Sequence, residues 1–374
     1  MKRTTGRVTL KDVATKAGVS VSTAHLVMAG KNGPKEETRQ QVLRIADALH
    51  YQCNAAASSL KRGETRIGVV LPDLKGGNEL YYTPIWAGVR AFCKTARDFN
   101  LHLVEMPYGG EDSVTVQLES VKRLRAMTEL SGAILLGDIA AEAKTELRKL
   151  SDRGFPIVLV NGEVPEVGPV CCVQTEDYLM GRTMGEILLR TTRQGSAILV
   201  CAGERTTPAN REAVRGLEAY LLEYAPERKI YKIYYGYSRR DAERLYAELI
   251  ERLQEKKEVG GCCSVTARGS VQLARALEYT GMAGRILAIG SDIFPKNLDS
   301  LRRNVFQNLI FKNPYQQGWK AMERLFQYIF RARPAKGEIL RVKGEVVFQS
   351  SISVYEQEDR FETRAIEIKG AGVV

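Results

Sequence analysis

The chain of 374 residues is too long for one ordinary hydrophobic core, which favours a small domain joined to one or two larger α/β units. Its formal net charge is +11, and residues 1–63, with eleven basic and four acidic side chains, favour a polyanion as partner over a merely soluble basic terminus. No apolar run approaches the roughly 20 residues of a membrane span, and the N-terminus lacks the apolar core of a secretion signal, so we expect no membrane partner and a cytoplasmic protein.

The segment TLKDVATKAGVSVSTAHLVMAG predicts two short helices joined by a tight turn. Thr9 can cap the first helix together with Asp12, because each side chain can satisfy a backbone N–H group of the first turn. Gly18 supplies the left-handed residue that ends this helix, and Ser20 caps the second helix with Thr23 at its third position. Two short helices joined in this way are typical of a helix-turn-helix, whose second helix lies in the major groove of DNA.

The second helix has an inward and an outward face. Helical spacing turns Ala24, Val27 and Met28 toward the small core of the segment. The outward residues are Val21, Ser22, His25, Leu26 and Ala29.

A third amphipathic helix is predicted over residues 35–50, and Val42, Ile45, Ala46 and Leu49 would close a three-helix core. The short Ala-rich segment 54–60 is too weakly apolar to stay helical in water, although it has the propensity to become a helix on a surface.

From residue 66 onward the pattern alternates between strands and helices, which predicts parallel sheets covered by helices on both faces. Two such sheets fit the length, with a break near residues 160–181. The predicted strands are 67–72, 101–106, 132–136, 156–160, 170–173, 196–201, 229–235, 260–265, 285–290 and 346–354. The clearest predicted helices are 84–98, 179–191, 211–223, 239–256 and 315–330.

The N-terminal segment resembles the start of the lactose-repressor/galactose-repressor (LacI/GalR) family of bacterial regulators, in its TLKDVA, AGVS and ST elements and their spacing. KEETRQQVLRIADALHY is similar to that family's third helix, and residues 54–60 are similar to its hinge helix. The resemblance implies an α/β fold with a helix-turn-helix domain (1–52), a hinge (53–64) and a two-lobed, periplasmic-binding-protein-like effector-binding and dimerisation domain (65–374). In such folds three connections cross between the lobes, here expected near 161–180 and again near 293–325.

The resemblance also implies a function. It suggests a transcription regulator, usually a repressor, that binds a pseudo-palindromic operator in double-stranded DNA as a homodimer. A small effector, most often a carbohydrate, would control it. The alternative is a cytoplasmic solute- or sugar-binding receptor without gene-regulatory DNA binding.

The DNA-binding residues follow from the same resemblance. Val21, Ser22, His25 and Leu26 would contact base edges, while the opening turn and the helix N-termini would bind phosphates. In the hinge, Leu60 would enter the minor groove and bend the duplex. The full predicted set is Thr9, Ser20, Val21, Ser22, Thr23, His25, Leu26, Ala29, Asn54, Ala57 and Leu60.

Several positions depart from the family pattern. His25 and Leu26 replace a Ser-Arg pair, Ala29 replaces an Asn, Cys53 a Pro and Ser58 an Arg. Because Arg reads guanine and Leu can only touch a thymine methyl or pack, the operator is expected to differ from the common one. The alternatives are an ordinary exposed apolar residue for Leu26 and a solvated linker residue for Leu60.

For the effector, the resemblance points to Tyr81 and Tyr82, whose rings would stack on a sugar, and to Asp292, which would bind its hydroxyl groups. Asn161 and Arg268 are further candidates, with capping of a strand end as the alternative. Thr266 and Ala267 stand where the family has Asn-Asp, and Ala213 where it often has an effector-binding Arg. These departures leave the effector open and leave room for a body that binds no small molecule.

No catalytic arrangement is found: three histidines are scattered, and neither a nucleophile elbow nor a phosphate-binding glycine motif occurs. We therefore expect no enzymatic activity, no cofactor and no metal site. The adjacent cysteine pairs at 171–172 and 262–263 lie in apolar runs and are interpreted as small buried hydrophobic residues rather than as disulfides or metal ligands.

Overall fold

The computed structural model describes residues 8–28, 33–49, 63–109, 113–255, 258–330 and 336–356. Its N-terminal part contains three helices: α1 (Leu10–Lys16), α2 (Val21–Met28) and α3 (Glu36–Ala48). Their facing sides form one small core of buried side chains: Val13, Ala14, Ala17, Ala24, Val27, Val42 and Ala46. Met28, Ile45 and Leu49 pack against this core while remaining partly exposed.

The predicted helix signals act as expected. The Thr9 backbone N–H donates to the Asp12 carboxylate at 2.8 Å, and the Asp12 N–H donates to the Thr9 hydroxyl at 3.4 Å, which is a capping box. Gly18 is left-handed with φ +63°, and the Thr23 N–H donates to the Ser20 hydroxyl at 3.0 Å. These local contacts set the turn between α1 and α2.

The body of the protein consists of two lobes, each built on a six-stranded sheet. Lobe 1 begins with β1 (Thr65–Val70), α4 (Glu79–Thr95), β2 (Leu101–Glu105), α5 (Ser113–Ala126), β3 (Leu130–Leu136), α6 (Ala141–Asp152), β4 (Ile157–Val160) and β5 (Cys171–Thr175). Lobe 2 continues with α7 (Asp177–Thr191), β6 (Ala197–Gly203), α8 (Pro208–Tyr224), β7 (Ile230–Tyr234), α9 (Arg239–Glu255), β8 (Val259–Ser264), α10 (Ala267–Tyr279), β9 (Leu287–Ser291), α11 (Pro295–Arg302) and β10 (Asn308–Phe311). The last elements are α12 (Pro314–Phe330), β11 (Glu338–Val342) and β12 (Glu345–Phe348).

The strand order is β11-β5-β4-β3-β1-β2 in lobe 1 and β12-β10-β9-β8-β6-β7 in lobe 2. All pairs are parallel except β10 with β12. Apolar clusters cover both faces of each sheet, so the strands are buried on both sides. The α/β fold with parallel sheets flanked by helices is therefore confirmed, and the cysteine pairs are buried in β5 and β8.

The chain passes between the lobes three times: after β5, after β10 and between β11 and β12. Helix α12 packs against α4 and the lobe 1 sheet, which returns the chain to the first lobe. Because parallel strands end at one edge of each sheet, the ends of β1, β3 and β4 face the ends of β6, β8 and β9 across the space between the lobes.

Helices α7 and α8 approach each other unusually closely, because glycines stand where they cross. A Cβ atom on Gly181 would lie 1.9 Å from the Ala213 carbonyl oxygen, and one on Gly216 would lie 1.9 Å from that of Tyr178. The first turns of both helices consequently lie side by side at the cleft between the lobes.

The sequence pattern did not predict two of the strands, and it predicted a third strand that is longer than the one observed. Strand β10 is short and bordered by the polar side chains Asn308 and Lys312, and the edge strand β11 alternates charged with apolar residues. The strand predicted over 346–354 ends at Phe348, because the Ser351 hydroxyl accepts from the Phe348 N–H at 3.2 Å and closes a 3₁₀ turn. In the described ranges of the chain, no helix is both long and apolar enough to cross a bilayer.

Candidate functional sites

The outward face of α2 forms the first candidate site. Ala24 and Val27 hold the helix onto the core, so the opposite side faces solvent. Val21 is 47% exposed, and Ser22 and His25 are exposed beside it. Leu26 is only partly exposed, because it lies near the turn at Gly33.

The capping residues mark the ends of the helices that could bind phosphate. Thr9 is exposed at the start of α1 and Ser20 at the start of α2, while Thr23 is partly exposed one turn later. The Ser20 and Thr23 hydroxyls lie 2.8 Å apart. Unpaired backbone N–H groups at helix N-termini attract anions, so these starts suit a phosphate backbone. The other predicted DNA-contacting residues, Ala29, Asn54, Ala57 and Leu60, lie outside the described residues.

The second candidate site lies between the lobes, where Tyr81 and Asn161 meet. Tyr81, on the first turn of α4, donates its hydroxyl to the Asn161 side-chain carbonyl at 3.3 Å. The Gln317 amide nitrogen lies 3.0 Å from the same hydroxyl. Tyr82 packs edge-on against Tyr81, with ring centroids 5.4 Å apart, and burial raises the pKa of both phenols.

Asp292 directly follows β9 and is 1% exposed. Its carboxylate accepts from the Lys312 backbone N–H at 3.2 Å and lies 3.7 Å from the Lys312 ammonium group. That ammonium group donates to the Val265 carbonyl at 2.7 Å and stands 5.5 Å from the centre of the Tyr81 ring. Burial raises the pKa of Asp292, and the lysine charge opposes that rise. Lys312 thus contacts both the Asp292 carboxylate and the Tyr81 ring.

Arg268, on the first turn of α10, reaches across the cleft from lobe 2. Its guanidinium donates to the Asn78 side-chain oxygen of lobe 1 at 3.3 Å and also to the Tyr237 carbonyl. It is 8% exposed, and this burial lowers its pKa. Arg268 therefore lies in the cleft with the other predicted residues, where it joins the two lobes.

A second contact between the lobes involves residues that the sequence analysis did not select. The Thr207 hydroxyl of lobe 2 donates to the Asp138 carboxylate of lobe 1 at 2.9 Å. The Tyr237 hydroxyl lies 2.9 Å from Thr207 and accepts from the Asn210 amide at 3.1 Å. Burial raises the pKa of Asp138. Asp138 follows β3 just as Asn161 follows β4. The rule that ligand sites form at the carboxyl ends of parallel strands could therefore have selected Asp138 from the sequence.

The structure thus brings all five predicted effector residues to the space between the lobes. Two hydrogen bonds, from Arg268 to Asn78 and from Thr207 to Asp138, join the lobes across this space. Aromatic rings with carboxylate and amide groups suit a polar ring with several hydroxyl groups, because the rings cover its apolar faces and the polar groups bind its edges.

The comparisons with known proteins agree with this layout. Residues 67–332, more than two thirds of the chain, match the family model described as periplasmic binding protein domain. Residues 9–54 match the model described as bacterial regulatory proteins, lacI family.

Among individual proteins, the maltose regulon regulatory protein MalI of Escherichia coli (strain K12) is 28% identical over 59% of this chain and 61% of its own length. The chain therefore spans about three fifths of that relative. The HTH-type transcriptional regulator pepR1 of Lactobacillus delbrueckii subsp. lactis is 28% identical over 66% of this chain and 70% of its own length. The periplasmic component of an ABC-type sugar transport system from Hahella chejuensis superposes with a TM-score of 0.67 at 17% identity, over 75% of this chain and 99% of that one, which is a likeness of fold.

Proposed function

Because the chain belongs to the lacI family of bacterial regulatory proteins, we propose that it is a sequence-specific transcription regulator that acts as a repressor. It binds a pseudo-palindromic operator as a homodimer, and a carbohydrate effector controls that binding. The protein binds its operator in the cytoplasm, where the DNA is located.

The observation that carries the proposal is the exposed face of α2. Val21, Ser22 and His25 project from a helix whose opposite side is fixed to a three-helix core. A helix presented in this way fits the major groove, where His25 and Ser22 can bind base edges and Val21 can touch a thymine methyl.

Phosphate contacts come from Thr9, Ser20 and Thr23 at the helix starts, and the net charge of +7 on residues 1–63 strengthens them. Leu26 and Ala29, both selected from the sequence, complete the base-contacting set in this proposal. Asn54, Ala57 and Leu60 contact the minor groove between the two half-sites, in line with the family resemblance.

The effector binds between the lobes, where Tyr81 and Tyr82 stack on its ring and Asn161, Arg268 and Asp292 act on its polar groups. Two features support a carbohydrate: the tyrosine, carboxylate and amide composition of the cleft, and the names of MalI and of the sugar transport component. A ligand that competes with the Arg268 to Asn78 contact changes the angle between the lobes and thereby the spacing of the two helix-turn-helix units.

The test is selection of bound sequences from random double-stranded DNA by the full-length protein, followed by fluorescence anisotropy on the selected site. Affinity should fall by roughly 10³ to 10⁵ between 50 and 200 mM salt if six to ten phosphates are bound. His25→Ala should lower affinity for the selected site by about tenfold to a hundredfold, while leaving binding to unrelated DNA unchanged.

Gln40→Ala is the matched control, since Gln40 is exposed on α3, where its amide nitrogen lies 3.5 Å from the Glu36 carboxylate. Equal losses for both variants would contradict the assignment of His25 to base contact. Failure of the full chain to bind any DNA in a salt-sensitive manner would instead favour a sugar-binding receptor.

A further inference from the structure

A cavity of about 690 Å³ opens between the lobes, beside the first crossing of the chain. On the lobe 1 side it is lined by the ends of β4 and β5, including Asn161. On the lobe 2 side it is lined by the first turns of α7 and α8. Asn161 also accepts from Tyr81, so this cavity adjoins the predicted effector residues.

Asp177, on the first turn of α7, lines this cavity. Asp177 as a whole is only 8% exposed to solvent. Within the described part of the chain, neither a hydrogen bond nor an ion pair engages this carboxyl group. A buried carboxylate without a partner costs several kcal/mol, so such a group either takes up a proton or binds a cation.

The nearby charges only partly compensate a negative charge on Asp177, so burial favours its protonated form. Asp177 and Asp292 share the neighbourhood of one ammonium group, that of Lys312, which is 3.7 Å from Asp292 and bonded to Val265. Burial is the main cause that raises the pKa of Asp177 to about 7; the Lys312 charge lowers it, while Asp292 and Glu212 raise it.

Two of the three arginines that line the cavity are engaged elsewhere. Arg341 lies 3.3 Å from Glu176 and 3.9 Å from Glu163. Arg215 pairs with Glu212 and stacks over Tyr178. Arg211 is exposed at the rim of the cavity, and the cation that acts on Asp177 is Lys312.

We propose that this cavity is the part of the effector site that accepts a primary ammonium group, with Asp177 as its counter-ion. The effector is then an amino sugar, whose ring lies along Asn161 and Tyr81 and whose ammonium group reaches Asp177. This inference rests on the proposed binding of a carbohydrate between the lobes and adds the chemical class of that carbohydrate. A charge-assisted hydrogen bond from ammonium to carboxylate would give the Asp177 carboxyl group the partner that it lacks among the described residues.

The experiment is isothermal titration calorimetry of the full-length protein with matched pairs of sugars: glucose and glucosamine, galactose and galactosamine, mannose and mannosamine. At least one amino sugar should bind about tenfold or more tightly than its neutral counterpart. Asp177→Asn, which keeps the size of the side chain, should abolish that preference. Asp299→Asn, an exposed carboxyl group on α11 paired with Arg303, is the matched control and should retain it. Thermal unfolding of each variant checks that it is folded.

The outcomes separate this inference from the proposed function. If neutral sugars bind as tightly as their amino counterparts, or if the preference survives in Asp177→Asn, the role of Asp177 is overturned while carbohydrate control stands. If no sugar of either kind binds, carbohydrate control fails and the inference fails with it. Operator binding, measured on the same samples, tests the DNA-binding role independently of both.

Discussion

The pair formed by Lys312 and Asp292 connects β9 of lobe 2 with the crossing that leads back to lobe 1. Lys312 is 8% exposed and Asp292 is 1% exposed, so neither charge is well hydrated. Lys312→Met removes the ammonium group and leaves the carboxylate buried with only the Ser291 hydroxyl and a backbone N–H as partners. Removing one member of a buried ion pair costs about 3 to 5 kcal/mol, so we expect a loss of that size in the free energy of unfolding.

Urea unfolding of the full-length protein, followed at one fixed protein concentration, measures this loss of stability. Both tryptophans, Trp86 and Trp319, pack in the lobe 1 core, so their fluorescence reports lobe 1, while circular dichroism reports the whole chain. Lys312→Met should shift both signals. Adding Asp292→Asn should restore part of the lost stability, because the second substitution removes the uncompensated charge.

The pH dependence supplies a second check. Lys312 holds down the pKa of Asp292, which burial raises, so its removal lets the carboxyl group take up a proton at a higher pH. The destabilisation should therefore be smaller at pH 5 than at pH 8. Two results would refute the uncompensated-charge argument. One is a loss in the free energy of unfolding that is the same at both pH values. The other is a double variant whose loss equals the sum of the losses of the two single variants.

Three other results are expected. Gly216→Ala should destabilise the protein by about 1 to 3 kcal/mol or more in urea unfolding, because the new methyl group would overlap the Tyr178 carbonyl; wild-type stability would contradict the close α7–α8 contact. Burial raises the pKa of Asp177 from an ordinary value of 3.8 to about 7, so stability should fall by about 3 kcal/mol as the pH rises from 4 to 7, and Asp177→Asn should lack this slope in urea unfolding. Replacing Asn78 by Ala together with Thr207 by Val removes two hydrogen bonds between the lobes, which should increase the radius of gyration in small-angle X-ray scattering; an unchanged radius would count against their role in closure.

The helix-turn-helix was predictable because its signals are local. The Thr9 and Asp12 capping box, the left-handed Gly18 and the Ser20 cap each act within three or four residues, and the structure contains all of them. The larger strands were predictable for a similar reason, since a strand buried on both faces is a continuous apolar run.

The rest of the cleft depends on contacts between segments that are distant in sequence. Lys312 was missed because it follows β10, a strand too short and too polar at its ends to be recognised. Asp177 was missed because α7 was expected to begin at residue 179, which placed this acid in a connection. Arg268 was selected, but its bond to Asn78 joins residues 190 positions apart, and no local pattern encodes it.

The central claim is that the exposed face of α2 binds DNA under the control of a ligand between the lobes. The most direct measurement is fluorescence anisotropy of the full-length protein on its selected operator, with and without a sugar that calorimetry has shown to bind. The account predicts a change in operator affinity of about tenfold or more, which Tyr81→Ala should abolish by weakening the sugar site while leaving ligand-free DNA binding intact. An operator affinity that stays the same when the body is saturated with that sugar would contradict it.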